Sequence, residues 1–137
     1  MGLSADASVK QSPCDLKEYK TYQSTTIYKG GLVTLDTAGY ARAGADTASY
    51  RFVGVCYEKL DNSTGASGAT GKDTKVYKSG EFELTMTGAA QAHVGILAYL
   101  VDDTTVASTS TNSVAVGYIT EVSDTNKVRV LIDRSVQ

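Results

Sequence analysis

The residues with chemical reach in this chain are few: His93, Cys14, Cys56, the pair Asp102-Asp103 and the segment from Ala66 to Asp73. His93 is the only histidine, and as a general base it would need a nucleophile beside it. No Gly-x-Ser-x-Gly elbow surrounds any serine, and neither cysteine sits in a recognisable nucleophile setting, so His93 reads as a loop histidine outside catalysis. One histidine and two distant cysteines cannot supply the spaced ligand pairs of a zinc site, and no Asp-x-Asp-x-Asp-Gly loop offers itself to calcium. Adjacent residues at a strand end point to opposite sides, which makes Asp102-Asp103 a turn and not a carboxylate pair. The segment Ala66 to Asp73 is a near miss for a phosphate-binding loop. Ala66 replaces the first glycine, Asp73 stands where a hydroxyl would hold magnesium, and a strand pattern follows where a helix is needed. Asn62-Ser63-Thr64 matches a glycosylation acceptor, a pattern that matters only in a secreted protein, and reads here as loop. These residues predict a protein that is not an enzyme and takes no metal or cofactor.

Composition narrows the class further. The 137 residues fit one domain, long enough to bury roughly two-thirds of the unfolded surface without a metal or disulfide staple. Thirteen basic and fifteen acidic residues are interspersed, giving a formal charge of −2 and no footprint for direct nucleic-acid binding. No stretch reaches the ~20 apolar residues that cross a bilayer, which predicts no membrane partner. The start, Met1-Gly2-Leu3-Ser4-Ala5-Asp6-Ala7, lacks the charged and apolar regions of a signal peptide, and Asp6 breaks the myristoylation pattern. The expectation is synthesis in the cytoplasm, with Cys14 and Cys56 as free thiols. Nine tyrosines, two phenylalanines and no tryptophan suit half-buried strands and wet contact surfaces.

The elements that would carry such surfaces are short strands. Residues 50–57, Tyr-Arg-Phe-Val-Gly-Val-Cys-Tyr, read as a central strand with both faces covered, and Gly54 in its middle signals a bulge or a close backbone approach. The glycine-rich stretch 61–71 that follows reads as a long exposed loop. Further strands are predicted at 25–28, 32–35, 40–43, 75–78, 81–87, 94–101, 104–108, 113–122 and 127–133, divided by turn residues. The clearest alternation sets Phe82, Leu84 and Met86 against Glu81, Glu83, Thr85 and Thr87; Val128, Val130 and Ile132 oppose Arg129, Leu131 and Asp133. The nearly continuous apolar run 94–101 reads as a buried strand. Residues 1–23 show neither helical nor strand periodicity and read as an extended N-terminal arm, with 24–137 as the β-rich domain. The fold expected is a single all-β sandwich or barrel of about nine short strands.

The ordered series of these pieces carries a resemblance. Tyr28-Lys-Gly-Gly-Leu-Val-Thr-Leu-Asp-Thr-Ala-Gly-Tyr-Ala, then Phe52-Val-Gly-Val-Cys with the Asp61 loop, then Val76-Tyr-Lys-Ser-Gly-Glu-Phe-Glu-Leu, then Val94-Gly and Ala98-Tyr-Leu-Val-Asp-Asp, then Val116-Gly-Tyr-Ile-Thr-Glu-Val and Val128-Arg-Val follow in order. Over residues 24–133 this series resembles the capsid decoration, or cement, proteins of tailed bacteriophages. The resemblance implies a structural protein of the virion, on the capsid exterior. It would bind the outer surface of the expanded capsid as a homotrimer and stabilise contacts between major capsid protein subunits. On that analogy the arm would lie along the shell, with Leu3, Val9, Leu16, Tyr19 and Tyr22 as capsid contacts. The alternative is a receptor- or carbohydrate-binding β-module of a phage fibre or adhesin, for which the lack of Trp is unfavourable.

Overall fold

A computed structural model describes residues 16–109, 111–112 and 114–132. Leu3, Val9 and Cys14 therefore lie outside the described residues, as does Asp133 at the end of the last expected strand. The described chain is nearly all β. In chain order its strands are β1 (Leu16–Lys20), β2 (Thr25–Ile27), β3 (Leu32–Leu35), β4 (Ala41–Ala43), β5 (Arg51–Cys56), β6 (Leu60–Asn62), β7 (Asp73–Tyr77) and β8 (Gly80–Thr85). A single 3-10 turn, Gln91–His93, precedes β9 (Leu97–Leu100), β10 (Val106–Ala107), β11 (Ala115–Asp124) and β12 (Lys127–Ile132).

Two five-stranded antiparallel sheets organise the molecule, ordered β1-β7-β5-β3-β4 and β10-β9-β11-β12-β8, with β2 and β6 as a separate pair. Each sheet curls until its two edges meet. In the first, Thr21 bridges Ala41, and the Tyr22 amide donates to the Ala41 carbonyl at 3.1 Å. In the second, Thr85 bridges Thr105, and the Thr85 amide donates to the Thr104 carbonyl at 3.2 Å. Curling of this kind hides backbone groups that an open edge would leave unpaired.

The alternation read from the sequence explains the two cores. Leu84, Met86, Val128, Val130 and Ile132 are buried and pack with Leu100, Val106, Val116 and Ile119 inside the second sheet. Leu32, Phe52 and Val55 of the first sheet join that cluster and so fasten the two sheets together. The other face of the first sheet buries Val33, Ala41, Val53, Cys56 and Val76 around Ile27 of β2. Every residue of β5 from Phe52 to Cys56 is therefore buried, as its two-faced apolar pattern requires.

Gly54 performs both tasks its place in the strand suggested. The β3–β5 register shifts between Val33 and Thr34, so β5 carries an extra residue there. That bulge lets Phe52 and Val55 face the same core. A Cβ on Gly54 would collide with the Tyr77 carbonyl, and its φ of 153° disfavours any other residue.

Three sequence expectations need correction. The arm read over residues 1–23 gives way to β1 at residue 16: Leu16–Lys20 pairs with Tyr77–Asp73 residue for residue. Its side chains are mostly exposed, which is why no apolar periodicity marked it. The stretch 61–71 is not a free loop but folds back on the segment after β1. The Gly68 amide donates to Thr21 O at 2.9 Å, and Asn62 Nδ2 donates to Tyr22 O at 2.9 Å and Ala66 O at 3.1 Å. The apolar run 94–101 is strand only over Leu97–Leu100; Gly95 turns with φ 88°, and Val94, Ile96 and Val101 are exposed.

Candidate contact surface

Among the described residues, those of greatest chemical reach are not gathered. His93 Nδ1 accepts the Ala90 amide at 3.0 Å, closing the 3-10 turn. The ring borders a cleft of about 390 Å³ that it shares with Met86, Thr87, Thr105, Val106 and Ser108. Among the described residues that line it, His93 is the one titratable side chain. Burial pushes the Cys56 thiol up from its ordinary value, and the thiol donates to Glu58 O at 2.9 Å, the opposite of an activated nucleophile. Asp102 Oδ1 accepts the Thr104 and Thr105 amides at 2.9 and 2.8 Å, the turn expected of it. Asn62 is buried and committed to holding the backbone, so its acceptor pattern is inaccessible. Among the described residues no three His, Cys, Asp or Glu side chains gather as metal ligands, and no helix is long and apolar enough to cross a membrane.

The expected capsid contacts divide. Leu16 is exposed at 42% on the outer strand β1, opposite Tyr77. Tyr19 instead packs against the Val33–Val76 core, and its hydroxyl accepts a hydrogen bond from Lys78 Nζ at 3.0 Å. Tyr22 lies under the Arg42 guanidinium, 3.4 Å from ring centre to Cζ. Both rings are engaged within the fold: β1 carries Tyr19 into the first sheet, and Tyr22 follows it, its amide bonded to the Ala41 carbonyl.

The first sheet also holds a buried charge. Asp36 Oδ2 accepts Arg42 Nε at 2.9 Å, while Oδ1 accepts the Ala38 and Tyr40 amides, each at 3.0 Å. Burial opposes ionisation of Asp36, but the Arg42 bond and the two amides outweigh it and hold the carboxyl below its ordinary value.

What remains outward is the far face of the second sheet, which sequence reasoning passed over. Tyr118 on β11 pairs with Leu97 on β9 and with Leu131 on β12, so three apolar side chains stand in one cross-strand row. Tyr118 is 48% and Leu131 42% exposed. The neighbouring row is charged: Arg129 pairs with Glu121 and Glu83, and its guanidinium reaches Glu81 at 3.7 Å and Glu121 at 3.6 Å. Lys127 reaches Glu83 at 3.9 Å. These charges satisfy one another within the face, and among the described residues the apolar row is its remaining part. Strand alternation shows Leu131 as outward, but the row joining it to Tyr118 and Leu97 crosses three strands whose pairings carry register shifts. Neither a family model nor a curated protein matches this chain.

Proposed function

We propose that this chain is a phage head decoration protein that binds the outer surface of the expanded capsid and stabilises contacts between major capsid protein subunits. The observation that carries the reading is the Leu97–Tyr118–Leu131 row, in which Tyr118 and Leu131 are exposed beside half-buried Leu97, on an all-β body. The ordered strand-edge series that resembles the cement proteins supports it. The stabilisation is thermodynamic: a protein that binds the expanded lattice and not its precursor shifts the equilibrium by mass action, and many copies add together. In this reading the chain acts as a homotrimer on the virion exterior.

The test is the solution mass by light scattering, then co-sedimentation with expanded heads that lack the protein. A trimer that pellets with expanded heads and stays in the supernatant with unexpanded precursors is expected, and Leu131→Asp should abolish pelleting while leaving the fold intact. A monomer that ignores both kinds of head would overturn the reading. A second reading, a carbohydrate-binding module, is favoured by Tyr28, which is 59% exposed with Lys59 Nζ 5.2 Å from its ring centre. Binding on a glycan array that Tyr28→Ala removes would select it.

A further inference from the structure

The 3-10 turn before β9 is closed by a histidine where another residue is usual. Gln91–His93 follows Ala90, and the third position of such a turn ordinarily holds a glutamine or glutamate that reaches back to the opening amide. Here His93 takes that place, and its Nδ1 accepts the Ala90 amide at 3.0 Å. Two more bonds run through the same residue. Its amide donates to the Ala90 carbonyl at 2.9 Å, and its carbonyl accepts the Ile96 amide at 3.0 Å.

The turn in turn fixes the start of β9 and one side of the cleft. The Gly95 amide donates to the Ile119 carbonyl at 2.7 Å and the Ile119 amide to the Ile96 carbonyl at 3.0 Å, so residues 95–96 are tied to β11. The ring itself borders the cleft beside Met86 and Val106, both buried.

A ring nitrogen accepts a hydrogen bond only while it carries no proton. Glutamine in this place would accept at every pH, whereas imidazole becomes a cation with a donor on each nitrogen in mild acid. A protonated His93 would set its own Nδ1 proton against that of the Ala90 amide, and its charge would draw the ring from apolar neighbours into water. The charged groups on the surrounding elements are Glu81 and Glu83 of β8, Glu121 and Asp124 of β11, Lys127 and Arg129 of β12, and Asp102 and Asp103 after β9. Arg129 holds Glu81 and Glu121, Lys127 holds Glu83, Asp124 accepts the Thr125 amide, and Asp102 with Asp103 belongs to the turn closed on Thr104 and Thr105. Among the described residues that line the cleft none is charged besides His93 when protonated, so no ion pair there would hold the cationic ring in place.

We propose that the turn over residues 90–96 is a pH-sensitive latch. Neutral His93 holds it closed, and protonation of the ring releases it and uncovers Met86 and Val106 in the cleft. This assignment does not rest on the capsid reading.

Hydrogen exchange of the full-length protein, corrected for the intrinsic effect of pH, tests the latch. Between about pH 7.5 and about pH 5 the protection of the Ala90 and Ile96 amides should fall at least about tenfold, while Val130 inside β12 stays unchanged. His93→Gln should keep both amides protected at both pH values, and His93→Ala should leave them unprotected at both. Equal protection at the two pH values in the unaltered protein would overturn the proposal. So would a fall that survives in His93→Gln, which would assign it to another group, or protection that survives in His93→Ala. The nitrogen chemical shifts of the ring give an independent readout: the proton should sit on Nε2 at neutral pH, and a ring protonated on Nδ1 would also sink the assignment.

Discussion

The two curled sheets solve the same closure problem with different interiors. Among the described residues every buried polar side chain, Thr21, Thr34, Asp36, Asn62 and Thr74, belongs to the first sheet or to the β2–β6 pair and loop laid on it. The second sheet contributes only apolar groups to its core. The second interior therefore rests on packing, which tolerates small changes of shape, whereas the first adds to its apolar cluster directional bonds that fail when one partner is lost. Both sheets use one glycine as a place where backbones touch. Gly54 faces the Tyr77 carbonyl and Gly117 the Leu131 carbonyl, each beside a register shift, but only Gly54 also adopts positive φ.

The largest expected effect exploits that shared device. Gly54→Ala should cost about 3–5 kcal/mol in urea unfolding, since collision and strain act together. Gly117→Ala should cost about 1–2 kcal/mol less because strain is absent. Equal losses would mean that collision alone governs both sites.

The next effect belongs to Asp36 and is read by pH. Its folded carboxyl titrates below its unfolded value, so its contribution is present above about pH 4 and is lost as pH falls through the lower folded value. Arg42→Met should cost about 2 kcal/mol at pH 7 and progressively less as pH falls below about 4, measured as urea midpoints. A loss that did not shrink in acid would point to lost packing on Tyr22 instead of the ion pair.

Thr21→Val should follow, at about 1–2 kcal/mol, because it orphans the Thr74 hydroxyl that now lies 2.7 Å from Thr21 Oγ1. Adding Thr74→Val should restore most of the loss, and failure of the double variant to recover would deny the directional character of this interior. On the second sheet, Arg129→Met should change stability by only about 0.5 kcal/mol, since its partners are exposed. The smallest change should have the opposite sign. Among the described residues buried Thr34 Oγ1 has no hydrogen-bond partner, so Thr34→Val should raise stability by about 0.5 kcal/mol in the same assay.

The same contrast governs what the sequence could disclose. The strands β8 and β12 bury one face, so Phe82-Glu83-Leu84 and Val128-Arg129-Val130 announce themselves by alternation. The first sheet is marked where it is apolar, at Leu32–Leu35 and Phe52–Cys56, and hidden where it is polar. β1 shows solvent four of five side chains, and β6 ends in Asn62, a residue that reads as loop yet is buried to hold backbone carbonyls. No local pattern reports that role, because its partners Tyr22 and Ala66 are known only once the segments meet. The Leu97–Tyr118–Leu131 row was hidden for a similar reason: it exists across strands and not along one.

Order of appearance during synthesis gives the exposed character of β1 a further meaning. β1 must wait for β7, more than fifty residues later, whereas β11 and β12 meet across the tight turn from Asp124 to Lys127. By chain-closure entropy that difference opposes β1 by about 2–3 kcal/mol. Until β7 emerges, β1 is a bare strand on a growing chain. Lys17, Glu18 and Lys20 keep that waiting strand hydrated and discourage pairing with the wrong neighbour.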